Sequence, residues 1–119
     1  MGLIDILIWK EILTVADKEI DKETIKDGKA NLFYGFEAVG GKLFLTNEHL
    51  IHYAHAINFK LKRRISAISL KDVLNVEKVN TMGIVPNGMK VITKEKNYKF
   101  VVNGRSKWIE KINKLIVLE

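Results

Sequence analysis

No cysteine occurs among the 119 residues, which excludes a disulfide framework, a thiolate zinc site and a cysteine nucleophile, and suits a reducing compartment. The chain also lacks the run of ~20 apolar residues that a membrane-spanning helix needs. Its nearest approach is the start, residues 1–10. There Asp5 and Lys10-Glu11 interrupt the run, no basic segment precedes it and no small-residue cleavage site follows. Ile6 stands where myristoylation of Gly2 would want Ser or Thr. Neither a Gly-x-x-x-x-Gly-Lys loop nor a Gly-x-Gly-x-x-Gly turn is present. Ser66, Ser69 and Ser106 have no glycine-flanked elbow and no Asp/His constellation around them. These gaps argue against an enzyme and imply no cofactor.

The composition is that of an ordinary globular protein, 47% hydrophobic and 29% charged, and the length suits one domain with one core. The net charge of +6 is unevenly spread: residues 1–58 carry −3 and residues 59–119 carry +9. A basic second half attracts phosphate-bearing surfaces, whether lipid headgroups or nucleic acid, and says nothing about fold. The expected location is cytoplasmic, at most peripheral to a membrane.

Apolar residues of the segment 3–15 scatter around a helical wheel, which fits a helix buried against the domain or a partner better than one lying on a membrane surface. Residues 16–29 are polar, with two isolated isoleucines, and read as a linker. The expected division is therefore residues 1–28 as an apolar helix-like segment with its linker, and 29–118 as the folded domain. From there, β-branched and aromatic runs alternate with turn signals every 8 to 12 residues, the spacing of an antiparallel sandwich or barrel. Seven strands are expected, at residues 30–37, 42–46, 50–55, 65–70, 73–79, 88–93 and 98–102. Gly40-Gly41 is the expected reversal between the first two, since paired glycines permit positive φ. Trp108, Ile109, Ile112, Leu115 and Ile116 then form one apolar helical stripe behind a cap at Asn103-Gly104. The expected class is mostly β (β+α).

Three stretches narrow this further. Residues 40–51, with Gly40-Gly41, Leu43-Phe44-Leu45-Thr46-Asn47 and Leu50-Ile51, resemble the signature of the GRAM domain. Ile68-Ser69-Leu70-Lys71-Asp72-Val73 is similar to that family's connection between strands, with Ser69 where proline is common. Residues 80–91 followed by Trp108-Ile109 complete a pattern that looks like a bacterial-type GRAM protein over residues 30–116. The resemblance implies a pleckstrin-homology-like barrel of seven antiparallel strands capped by a C-terminal helix. It also implies a binding module whose relatives are associated with membranes, phosphoinositides or protein partners.

Lys60-Leu61-Lys62-Arg63-Arg64 places four cations in five residues at a hairpin between the third and fourth strands. Near an anionic bilayer each would contribute ~1 kcal/mol, while the alternative is a loop kept soluble by its charge. Lys42 joins this patch if the two hairpins lie side by side. Lys94, Lys96, Lys99, Arg105 and Lys107 form a second basic group. Met82, Ile84, Val85 and Met89, around Pro86-Asn87-Gly88, are candidates for an apolar tip that enters a membrane interface, pairs with a protein, or packs under the barrel mouth. His49, His52 and His55 are three apart, alternate faces on a strand and so do not converge on a metal without a bend; solvent-facing or edge histidines are the expectation. The expected partner is an anionic membrane surface or a protein, with homo-oligomerisation one form of the latter. Nucleic acid is disfavoured, because the cations are not interleaved with aromatic platforms.

Overall fold

The computed structural model describes residues 24–57 and 63–117. The expected N-terminal helix at residues 3–15 lies outside them. Seven strands form one antiparallel sheet: β1 (Lys26–Tyr34), β2 (Glu37–Leu45), β3 (His49–Ile57), β4 (Arg63–Ser69), β5 (Val73–Thr81), β6 (Val85–Thr93) and β7 (Asn97–Val102). A 3-10 turn, Leu70–Asp72, joins β4 to β5, and α1 (Arg105–Val117) closes the chain. The strand order is β4-β3-β2-β1-β7-β6-β5.

The sheet is curled into a half-barrel. β1 and β4 are separated by two strands, about 14 Å in a flat sheet, yet the Tyr34 hydroxyl lies 2.8 Å from Ser66 Oγ. The two halves meet at the 3-10 turn, held by two threonine turns of the same design. Thr46 Oγ1 accepts from the His49 amide at 3.0 Å, and Thr93 Oγ1 accepts from the Lys96 amide at 3.1 Å and donates to the Lys96 carbonyl at 2.7 Å. The Leu70 amide then bonds the Glu48 carbonyl and the Lys94 amide bonds the Asp72 carbonyl, fixing both turns to the corner.

Inside the curl, Leu32, Leu43, Leu45, Leu50, Met89, Val91 and Phe100 are essentially inaccessible. Trp108 and Ile112 of α1 join the same cluster, with Ile109, Leu115 and Ile116 packed at its edge, so the apolar stripe read from the sequence faces the core. Each large side chain so buried contributes ~1.5–3 kcal/mol. α1 packs against β5, β6 and the 3-10 turn, and the Gly104 carbonyl accepts its first hydrogen bonds from Lys107 and Trp108.

Four expectations change. The sheet begins at Lys26, inside the stretch read as linker, because the Ile25 amide already bonds the Leu45 carbonyl. The first reversal is at Gly35-Phe36, with Gly35 at φ +66°, and Gly40-Gly41 lies within β2. Gly41 is needed there for space: a Cβ would sit 2.4 Å from the Tyr53 carbonyl oxygen and 2.9 Å from the His52 ring. β6 begins at Val85, three residues earlier than expected. Pro86 is accommodated because the β5–β6 register shifts between the Val79–Gly88 and Thr81–Val85 pairs, at a bulge where a missing N–H costs no ladder bond. Met89 belongs to the core, with no exposed surface, and is removed from the apolar tip.

Candidate functional site

Register places the β1–β2 turn, the end of β3 with the start of β4, and the start of β7 at one end of the sheet. Tyr34 pairs with Glu37, and Ile57 with Arg63, so the β1–β2 turn is at the end of the sheet where β3 ends and β4 begins. β7 starts alongside the end of β1, since Leu32 pairs with Phe100. Phe36 protrudes fully from the β1–β2 turn. Two cations of β7 and its turn lie over aromatic rings here: Lys99 Nζ is 5.0 Å from the Phe33 centroid and Lys96 Nζ is 4.8 Å from that of Tyr98. Within the mouth, Tyr34 and Tyr98 pack half-buried against the core.

Of the basic residues read from the sequence, Lys60 and Lys62 lie outside the described residues. Arg63 and Arg64 open β4, and only their backbone is described. Lys42 is not on the turn that the sequence reading gave it. It sits in mid-β2, opposite Tyr53, on the outer face of the sheet, where it pairs with Asp27 at 3.5 Å and lies over Phe44. The misplaced glycine turn is the cause: with the reversal at Gly35-Phe36, Lys42 falls six residues after it. The same error hid Phe36, which a strand over residues 30–37 counts as a strand residue. The Gly35-Phe36-Glu37 step was the available signal.

The opposite end of β6 carries a second projecting feature. Met82 and Gly83 have φ of 51° and 76°, and the Ile84 amide bonds the Thr81 carbonyl, which is the two-residue hairpin turn with both central residues left-handed. Thr81 Oγ1 contacts Asn87 Oδ1 and bonds the Val85 carbonyl. Met82 is 91% exposed, Ile84 80% and Val85 40%. Arg105 ties the base of this hairpin to α1, its Nη1 donating to the Val79 carbonyl at 2.8 Å.

Contrary to the expectation of a solvent-facing or edge histidine, His52 is fully buried on the inner face of β3, where Nε2 donates to the Ala30 carbonyl at 2.9 Å, while His49 faces outward. Among the described residues no group of His, Asp or Glu is arranged to hold a metal ion. No helix among them is long and apolar enough to cross a membrane.

A seven-stranded curled sheet with one C-terminal helix defines the pleckstrin-homology-like class. The GRAM domain model matches residues 14–116, and the chain belongs to that family. A C-terminal domain of an unknown protein from Leishmania infantum is similar at TM-score 0.67 and 16% identity, over 89% of this chain and 98% of that one. The N-terminal PH domain of human ARAP2 is similar at TM-score 0.61 and 15% identity, over 76% and 77%. The Slm1 PH domain, solved in complex with phosphoserine, is similar at TM-score 0.55 and 18% identity, over 80% and 94%. A search of curated proteins finds no match. Family and fold together suggest a lipid- or protein-binding module, and domains of this kind are generally non-catalytic.

Proposed function

We propose that the chain is a cytoplasmic, peripheral binding module that meets an anionic membrane surface with the end of the sheet bearing Phe36. The observation that carries this reading is Phe36 itself, a fully exposed aromatic on a hairpin turn, at the end of the sheet where Arg63 and Arg64 open β4 and where the sequence just before them holds Lys60 and Lys62. Cations near an anionic surface contribute ~1 kcal/mol each, and an aromatic ring among them adds an apolar contact at the headgroup level. Lys94 and Lys96, both exposed, lie in the turn just before β7 and extend the positive field.

Co-sedimentation with vesicles tests it. The wild type pellets with vesicles containing phosphatidylserine and not with neutral ones, and added salt releases it, since screening shortens the reach of exposed charges. Changing Lys60, Lys62, Arg63 and Arg64 together to serine abolishes pelleting, and Phe36→Ser weakens it. A wild type that pellets with neither vesicle refutes the reading.

A second reading is a protein-interaction or self-association domain that uses Met82, Ile84 and Val85, three exposed apolar residues at a hydrogen-bonded turn. Self-association through this tip predicts a sedimentation coefficient that rises with concentration, falls with Met82→Ser plus Ile84→Ser, and resists salt.

A further inference from the structure

The half of the sheet formed by β1 to β4 has an outer face that does not look like a solvated surface. In β3 the inward residues are Leu50, His52 and Ala54, and the outward ones are His49, Ile51 and Tyr53. Register sets Ile51 between Phe44 of β2 and Ala67 of β4, and sets Tyr53 between Lys42 and Ile65. The outer face therefore carries an apolar patch of Phe44, Ile51, Tyr53, Ile65 and Ala67. A strand apolar on both sides is the pattern of a strand covered on both sides.

Ile51 is only 1% exposed, as little as the interior leucines, although it is not a member of the interior cluster. Neighbours within a sheet stand beside a side chain and leave its top open. The described helix does not lie over it, since α1 packs against β5, β6 and the 3-10 turn.

We propose that the N-terminal segment, residues 3–15 of the same chain, docks on this outer face over Ile51 and Phe44. Three observations select this occupant. The segment is rich in the side chains such a patch takes, among them Leu3, Ile4, Ile6, Leu7, Ile8 and Trp9. The chain enters the sheet at the right place: the Ile25 amide bonds the carbonyl of Leu45, the residue after Phe44, at 2.7 Å. The nine residues between the segment and Ile25 reach up to ~30 Å when extended, and Ile51 lies about two strand spacings, ~10 Å, from β1.

The test uses the intact chain with half the molecules carbon-13 labelled and half unlabelled. Nuclear Overhauser contacts from the Ile51 methyls to side chains of residues 3–15 are expected within a single chain, unchanged on dilution. Backbone amides of residues 3–15 are expected to exchange at least tenfold slower than in an unstructured peptide, and Ile51→Lys is expected to remove that protection while leaving β5 to β7 unchanged. Contacts only between labelled and unlabelled chains mean that a second copy supplies the cover, and overturn the proposal. Absence of any contact together with unprotected amides in residues 3–15 overturns it too.

Discussion

Replacing Gly41 by alanine adds one methyl group where β2 packs closely against β3. That carbon would stand 2.4 Å from the Tyr53 carbonyl oxygen, 2.9 Å from Ala54 Cα and 2.9 Å from His52 Cε1. Two of these are backbone atoms of a paired strand, so relief requires β3 to move away from β2, not a side chain to rotate. Overpacking of this kind costs ~1–3 kcal/mol. Displacing His52 also breaks its 2.9 Å bond to the Ala30 carbonyl in a fully buried setting, a further ~1–3 kcal/mol. Alanine's smaller unfolded-state entropy returns ~0.4–1 kcal/mol. The net expectation is a loss of about 1–5.5 kcal/mol, at about 5 °C in melting temperature per kcal/mol for a domain of this size. Urea denaturation followed by circular dichroism measures it, and an unchanged slope confirms that stability alone moved. Gly35→Ala is the comparison. Gly35 has φ +66° and nothing within 4 Å of its added carbon, so only the left-handed backbone is penalised, by ~1–2 kcal/mol. If Gly41→Ala proves no worse than Gly35→Ala, the close approach of β2 and β3 is not what demands glycine, and the reasoning fails.

Met89→Ala should cost ~2–5 kcal/mol, because the side chain is completely buried, whereas Met82→Ala, at the exposed turn, should stay within ~0.5 kcal/mol; equal effects in urea denaturation would contradict the assignment of core and tip. Thr93→Val keeps the shape and removes the hydroxyl bonded to the backbone of Lys96. A loss of ~1–2 kcal/mol is expected, with faster amide exchange at Lys96, and a neutral result would mean that the turn holds without its threonine. Arg105→Ala frees the Val79 carbonyl from its 2.8 Å partner. Exchange should then quicken in the β5–β6 hairpin while β1–β3 are unaffected, at ~1–2 kcal/mol overall.

Much of the fold is written locally. Alternation of apolar residues in segments such as Met89–Thr93 specifies strands, and the spacing of Trp108, Ile109, Ile112, Leu115 and Ile116 specifies one helix with one buried face. Together with the stretches at 40–51 and 68–73 these sufficed for seven strands, a C-terminal helix and the family. Glycine was ambiguous because it serves two physical needs. At Gly35 it supplies a left-handed turn, and at Gly41 it supplies room for another strand's backbone, a need that exists only once β3 is in place. Met89 and Met82 likewise look alike in sequence, yet strand register sends one into the core and the other into solvent. Lys42 and the residues 60–64 lie far apart in sequence in either reading, and only the register showed Lys42 on the outer face, paired with Asp27. The sequence by itself determined which segments become strands or helix and which residues along them are apolar, since those depend on periodicity along the chain. Which side chains share a surface was decided by the curl of the sheet and the offset between strands, and these are fixed only when distant segments pack together.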